Sequence, residues 1–266
     1  MKNAQLYYWA IVIAFSLGWF IHRQYYVPSK SPHSIQHPFK IPKVSQHRWR
    51  QPLKVSDIDY ISNSDTDRYL GKFAFSDSIF IPDDRLLWSE EEFIRIDQLP
   101  YGESHGAGLQ VRIDSQLIVT GRRNDKARAY HPAFIFNETQ TTKYLVGMNW
   151  QPWHILEAKD LEGHWRPIQI SVPSDCATHM GYLKLEPQEF CMLSLPVFAG
   201  DFATELRLRI RNGKEVLLSN SFKGKINRTQ FKFSPTDPYK WHIQQYPKKS
   251  ANRFFLGSTP LELDGG

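Results

Sequence analysis

The sequence predicts a mainly β protein: an antiparallel β-sandwich preceded by one N-terminal transmembrane helix and a flexible tether. Short runs of alternating apolar and polar residues recur from about residue 105 to residue 234, and this is the period of half-buried strands. Residues 4–21 carry no charge. Aromatic residues make up 14% of the chain, which is typical of packed sheet faces, and the 266 residues suffice for one buried core.

The predicted anchor is the run AQLYYWAIVIAFSLGWFI, residues 4–21. A helix rises about 1.5 Å per residue, so this run is just long enough to cross a hydrocarbon core about 30 Å thick. Aromatic residues stand near both ends of the run, where a spanning helix meets the two lipid–water boundaries. We therefore expect the chain to bind a lipid bilayer through residues 4–21.

A cleaved signal peptide is the alternative interpretation of this run. Cleavage needs small residues after the apolar stretch, but the chain continues GWFIHRQYY, with bulky and charged residues there. We predict a retained anchor, with the following domain on the periplasmic or extracytoplasmic side, because a very short N-terminal tail is easily kept in the cytoplasm. Arg23 and Lys30 act against this orientation, since basic residues favour the cytoplasmic side.

Three segments flank the predicted sandwich. Residues 23–56 are rich in Pro, Ser, His and Lys and predict a solvated tether. Residues 57–104 predict a partly ordered segment with one short helix, because Ser89 is a suitable N-cap and the acidic residues 90–92 suit the positive end of the helix dipole. After the sandwich, residues 235–266 lose periodicity and predict an irregular C-terminal tail on the surface.

A first hairpin is predicted in TELRLRIRNGKEVLLSNSF, where two alternating runs flank Asn212 and Gly213. Asn-Gly between alternating runs is a strong hairpin signal. The alternation turns three apolar side chains inward: Leu206, Leu208 and Ile210. It turns three basic side chains outward: Arg207, Arg209 and Arg211.

A second hairpin is predicted in GYLKLEPQEFCMLSL, with its turn at Pro187 and Gln188 and with Leu185 opposite Phe190. Cross-strand partners share a face of the sheet. One face would then hold Leu183, Leu185, Phe190 and Met192. The other face would hold Cys191 with Tyr182, Lys184, Leu193 and Leu195.

Both cysteines of the chain lie between residues 174 and 191, with His179 between them. Cys176 lies about eight residues before the position opposite Cys191, up to about 26 Å along an extended strand, whereas a disulfide needs Cα atoms within about 7 Å. A candidate disulfide Cys176–Cys191 therefore requires a chain reversal at CATHMG. Two partly buried thiols are the preferred interpretation, and neither a complete set of metal ligands nor an oriented base is recognisable.

Trp150, Trp153 and Trp165 are the candidate binding residues elsewhere in the sequence. Indole rings stack on the apolar faces of sugars and peptides, so these residues are a candidate aromatic platform, but a filled sandwich core is the preferred interpretation. The acidic run DIDYISNSDTD lacks the glycine and glutamate of a calcium loop. No catalytic residue, metal ligand or cofactor is predicted, because no phosphate loop, nucleophile elbow or zinc-hydrolase motif occurs.

Four runs, HPAFIFNET, EAKDLEGHWRPI, GYLKLEPQEF and GDFATELRLRI, resemble bacterial membrane-anchored envelope proteins that carry an immunoglobulin-like β-sandwich. The resemblance covers about residues 105–233. Its motifs are structural: a turn before a tryptophan strand, and a Leu-x-Leu-x-Pro-x-Glu hairpin. It implies an immunoglobulin-like fold and a place in the cell envelope, and it transfers no catalytic residue.

These observations predict a membrane-anchored envelope protein that displays a β-sandwich for binding or for a structural role. The expected partners are the bilayer and another envelope protein or a glycan, and not nucleic acid, because a net charge of +6 is modest for this length. An envelope hydrolase with an unrecognised active site is the alternative. A third class, nucleic-acid binding through the three arginines and Lys214, is the least favoured.

Overall fold

The computed structural model describes residues 38–45, 53–54, 61–62, 66–80, 93–95, 107–123, 126–148, 151–171, 180–232 and 239–261. Within these ranges the chain is mainly antiparallel β-sheet, as the sequence predicts. The predicted anchor lies outside them. No helix within them is long and apolar enough to cross a membrane.

Short strands follow one another along the described part of the chain. In order they are β1 (Val44–Ser45), β2 (Leu53–Lys54), β3 (Ile61–Ser62), β4 (Arg68–Ala74), β5 (Ile79–Phe80), β6 (Phe93–Arg95), β7 (Leu109–Ile113), β8 (Val119–Arg123), β9 (Lys126–Asn137), β10 (Lys143–Met148), β11 (Gln151–Pro152), β12 (His154–Lys159), β13 (Trp165–Pro167), β14 (Gln169–Ile170), β15 (Met180–Leu185), β16 (Glu189–Pro196), β17 (Phe198–Ala199), β18 (Phe202–Asn212), β19 (Glu215–Leu218) and β20 (Phe222–Ile226). A 3-10 helix, Arg228–Phe231, and two α-helices, α1 (Lys240–Gln245) and α2 (Pro247–Phe254), follow the last strand.

Most of these strands belong to three antiparallel sheets. Sheet I has the order β4-β16-β9-β7, with β8 also paired to β9. Sheet II has the order β11-β10-β15-β6, and sheet III has the order β13-β12-β18-β19 with β20 also paired to β18. The parallel pairs β1–β5, β2–β17 and β3–β14 join two-residue strands at the margins.

One apolar core unites the three sheets. It contains Leu193 of sheet I, Leu145 of sheet II and Leu208 of sheet III, each 0% exposed. The buried side chain of Asn212 links sheet III to sheet II, because it accepts a hydrogen bond from the Val146 amide at 2.8 Å and donates one to the Tyr144 carbonyl at 3.1 Å. The core thus separates sheet I from the linked sheets II and III, consistent with a β-sandwich.

Sheet I is apolar on its second face as well. Consecutive apolar residues in β9 send Ala133 and Ile135 into the core, and Phe134 and Phe136 to the opposite side. Phe39 covers that side, 4% exposed, with its ring stacked on Phe136 at 4.2 Å between centroids. The prediction of a solvated tether is therefore wrong for residues 38–45, because the outer phenylalanines of sheet I need an apolar cover.

The predicted hairpin at Pro187 and Gln188 is wrong. The turn exists, but β15 pairs with β10 and β6 in sheet II, whereas β16 pairs with β4 and β9 in sheet I. The chain therefore crosses from one layer of the core to the other at this turn. Cys191 shares the core with Leu193 and Leu195 as predicted, but Leu183 and Leu185 face the same core, while Phe190 and Met192 face away from it.

The hairpin between β18 and β19 forms, with a shifted turn. Asn212 pairs with Glu215, so the turn residues are Gly213 and Lys214 instead of Asn212 and Gly213. Gly213 has a φ of 63°, a value that side chains disfavour. The predicted inward and outward sides of β18 are confirmed, since Leu206, Leu208 and Ile210 are buried and the intervening arginines are only partly buried.

Two further predictions differ from the structure. Residues 93–95, expected in a helix that begins at Ser89, form β6 and pair with β15, because Phe93 fills the core beside Leu183; Ser89 itself lies outside the described residues. The expected irregular tail is helical over α1 and α2. Its few apolar residues pack on the outer face of sheet III, in a cluster of Ile155, Ile170, Ile243, Phe254, Phe255 and Leu256.

Candidate functional site

The outer face of sheet III carries a buried carboxylate between two arginines. Strand register places Glu157 of β12 directly opposite Arg207 of β18 and places Arg209 two residues further along. Glu157 is 1% exposed. Its carboxylate accepts a hydrogen bond from Arg207 Nε at 2.6 Å and lies 3.5 Å from Arg209 Nη1. Two guanidinium groups therefore share one carboxylate, which leaves an excess of positive charge.

Arg207 is held from its other side by an indole ring. Its guanidinium carbon lies 4.2 Å from the centroid of Trp165, and the ammonium of Lys159 lies 5.3 Å from the same ring. Such cation–π contacts orient the cation over the ring face. The two terminal nitrogens of Arg207 make no hydrogen bond to the described residues. A pre-oriented guanidinium edge with unused donors fits a carboxylate or phosphate group.

The segment after α2 forms the opposite wall. Arg209 Nε donates to the Leu256 carbonyl at 3.0 Å, and Arg166 Nη1 donates to the Thr259 carbonyl at 3.3 Å. Between these contacts lies Ser258, 4% exposed, whose Oγ finds no hydrogen-bond partner in the described part of the chain. The arginines therefore fix the position of the wall and still leave an unused polar group beside the groove.

These walls enclose an open groove of about 560 Å³. Its lining residues are Glu157, Gly163, His164, Trp165, Arg166, Arg207, Arg209, Gly257, Ser258 and Thr259. Burial lowers the pKa of Arg209, and the neighbouring charges of Arg207 and Arg211 lower it further, whereas Glu157 opposes the change. The main cause of the lower pKa is thus the burial of Arg209 in the wall of the groove.

The β12–β13 turn at the rim of the groove is organised by Asp160. Its carboxylate accepts hydrogen bonds from the backbone amides of Glu162 and His164 and from Arg166 Nε at 2.8 Å. Burial alone raises the pKa of Asp160, but these hydrogen bonds outweigh it and bring the pKa below its ordinary value. Asp160, Glu162 and His164 stand close enough to share a cation, yet Asp160 is already engaged, so the cluster is explained by the turn.

A second polar cluster lies inside the protein. His154 Nε2 lies 3.0 Å from Asp67 Oδ2, and both side chains are 0% exposed. Gln169 donates to Asp67 Oδ1 at 2.7 Å and to Thr66 Oγ1 at 2.8 Å, and its own Oε1 accepts from the Leu156 amide. The pair has the composition of an acid–base dyad, but without solvent access it acts as a structural bridge between residues 66–67 and sheet III.

The structure separates two members of the candidate aromatic platform, Trp153 and Trp165. Trp165 lines the groove, whereas Trp153 lies at the opposite end of β12, roughly 20 Å away at about 3.3 Å per residue. Trp153 packs on the C-terminal apolar cluster. Trp150 lies outside the described residues.

The two cysteines are placed only in part. Cys191 lies in β16 and is 0% exposed. Cys176 and His179 lie outside the described residues, so the candidate disulfide stays a prediction.

Only some of the groove residues were predicted from the sequence. The outward arginines of β18 follow from alternation, but Glu157 was missed. Alternation in WHILEAKD does place Glu157 on the same face as Ile155; that signal needed the pairing of β12 with β18 to become informative.

No protein-family model and no curated protein matches this chain.

Proposed function

We propose that this chain is a single-pass, membrane-anchored protein of the cell envelope whose immunoglobulin-like β-sandwich binds an anionic ligand in the sheet III groove. The apolar run of residues 4–21 and the resemblance to anchored envelope proteins support the first part. The ligand is one that presents a carboxylate or phosphate group, as acidic glycans and acidic peptides do. The function is therefore binding, and the alternative of an envelope hydrolase gains no support from the inaccessible His154–Asp67 pair.

The observation that carries the binding proposal is the unused edge of Arg207. Glu157 and Trp165 hold the guanidinium from two sides, so little side-chain entropy remains to be lost when a ligand binds. Arg207 is 17% exposed, which leaves it accessible while water around it is restricted. Charge-assisted hydrogen bonds are stronger in such surroundings.

Replacing Arg207 by glutamine is expected to weaken anion binding about tenfold or more, because a hydrogen bond to a charged group contributes about 1.5–3 kcal/mol. The measurement is isothermal titration calorimetry of the full-length protein in detergent micelles, with inorganic phosphate and a galacturonic acid trimer as probes. Arg211→Gln is the matched control. It removes the same charge from the same strand, but Arg211 contacts Gly213 and Asn252 and does not line the groove. Equal losses in both variants, or no binding of either probe by the unmodified protein, would refute an anion site at Arg207.

The anchor is tested separately by fractionation. Full-length protein is expected to stay with the membrane pellet after alkaline carbonate washing, because a spanning helix is held by the bilayer core and not by surface charge. A variant lacking residues 4–21 should be released. Recovery of the intact chain in the carbonate supernatant would remove the anchor from the proposal and leave the groove unaffected.

A further inference from the structure

The two C-terminal helices present a surface that does not pack on sheet III. Their inner side is buried through Ile243, Ser250 and Phe254. Their outer side exposes Trp241 by 67% and Tyr246 by 46%. We define the basic aromatic surface as Lys240, Trp241, Tyr246, Lys248, Lys249 and Arg253. Tyrosine and tryptophan are enriched at interfaces, because each combines a large apolar ring with a polar group.

The surface is positively charged throughout. No aspartate or glutamate occurs between residues 239 and 261, whereas four lysines and arginines do. Lys240, Lys248 and Lys249 form no ion pair with the described residues. This surface therefore lacks the mixed charges of an ordinary solvated helix.

Two of these lysines stand where a helix disfavours them. Lys248 and Lys249 occupy the first turn of α2, which has no acidic residue. The N-terminal end of a helix carries partial positive charge, so cations there are repelled and anions are attracted. An external anionic partner would compensate both the helix end and the lysines.

We propose that the basic aromatic surface of α1 and α2 rests on an anionic lipid bilayer. Tryptophan and tyrosine are the side chains that favour the lipid–water boundary, because each combines an apolar body with a polar group. Lysine and arginine beside them are attracted to anionic headgroups. A nucleic acid would also satisfy the charge, but a Trp–Tyr pair exposed among the lysines favours the bilayer interface. The inference does not involve the groove, and the N-terminal anchor enters its test only by holding the chain at the disc.

The test compares lysine reactivity in full-length protein reconstituted into nanodiscs of phosphatidylcholine or of phosphatidylcholine with phosphatidylglycerol. Acetylation by a neutral reagent is quantified at each lysine by mass spectrometry. Lys248 and Lys249 are expected to react about fivefold more slowly in the anionic discs than in the neutral discs. Salt at about 0.5 M, roughly threefold above physiological ionic strength, should abolish the difference because it screens the attraction to the headgroups.

Lys223 and Lys225 are the internal control. They are exposed on β20, which pairs with the residue 203–205 end of β18, roughly 20 Å along the strand from Arg211 and its contact to α2. Their reactivity should be equal in both discs. The double variant Trp241→Ala, Tyr246→Ala should reduce the protection of Lys248 and Lys249 to less than about twofold, and circular dichroism confirms that these exposed substitutions leave the fold intact.

Three outcomes would overturn the inference. They are equal reactivity of Lys248 and Lys249 in both discs, equal protection of Lys223 and Lys225, and equal protection of Lys248 and Lys249 by a DNA duplex without lipid. The last outcome would assign the surface to nucleic acid. None of them affects the Arg207 titration, so the two proposals fail separately.

Discussion

Replacing Asp67 by alanine is expected to lower the free energy of unfolding by about 3–5 kcal/mol, the cost of removing one partner from a buried, hydrogen-bonded ionisable pair. The substitution strands His154 Nε2 and also removes the oxygen that accepts from Gln169 and from Thr66. All of these groups are buried. An unsatisfied donor in the interior keeps its full desolvation cost, so the losses accumulate in one place.

The measurement is the unfolding transition of the full-length protein in mild detergent, followed by near-ultraviolet circular dichroism. Glu205→Ala is the control, because it breaks an ion pair to Lys159 whose side chains are 41% and 37% exposed. Such an exposed pair contributes about 0–1 kcal/mol. The double variant Asp67→Leu, His154→Leu should cost less than the sum of the single changes, since it removes both polar groups together. A cost for Asp67→Ala as small as that of Glu205→Ala would show that the bridge does not hold the fold.

Replacing Glu157 by glutamine is expected to act in opposite directions on stability and on anion binding. The amide removes the negative charge shared by Arg207 and Arg209, so the free energy of unfolding should fall by about 2–3 kcal/mol, the upper range for a hydrogen bond to a charged group. The same change leaves the groove one unit more positive. Affinity for phosphate should therefore rise, by about tenfold at low salt and less at high salt.

Calorimetry and thermal unfolding of the same preparation separate the two effects. Glu215→Gln serves as the control, because Glu215 lies on β19, does not line the groove and shares the inner side of sheet III with its cross-strand partner Asn212. It should leave the affinity for phosphate unchanged. A Glu157→Gln variant that loses both stability and affinity would show that the carboxylate is needed to position Arg207, and that the excess charge of the groove is not what attracts the ligand.

Local alternation explains the part of the fold that was predicted. In β18 every second residue is apolar from Leu206 to Ile210, and a sheet with one buried face needs no further information to orient them. The hairpin after β18 follows from a glycine that accepts a positive φ. These features depend on neighbours in the sequence, which is why they were visible there.

Features that depend on distant partners were not predicted. The turn at Pro187 and Gln188 has residues typical of a hairpin. Its two strands nevertheless pair in different sheets, because Leu185 and Cys191 face one core from opposite layers. The C-terminal helices are short and polar, so their sequence gives little sign of them. They form because their few apolar residues cover Ile155 on the outer face of sheet III.

The residues of the candidate groove were also only partly predictable from the sequence. Its arginines were visible as outward residues of one strand, but its carboxylate comes from β12 and its far wall from the segment after α2. Alternation in the sequence indicates which face of the sheet a side chain occupies, but it does not indicate which residue lies opposite. The pairing of Glu157 with Arg207, about 50 residues apart, is set by the core on the other side of the sheet.

The crossing of the chain at Pro187 and Gln188 also governs when sheet I can assemble. Its central strand, β16, pairs with β4 on one side and β9 on the other, and Cys191 lies about 120 residues after its partner Lys72. Until the ribosome has released residue 196, β4 and β9 have no strand between them. Closing such long loops is slow, so the facing edges of β4 and β9 stay unpaired until β16 is available. Unpaired edges are templates for pairing with other chains, so a chaperone that shields them is expected to raise the yield of folded protein.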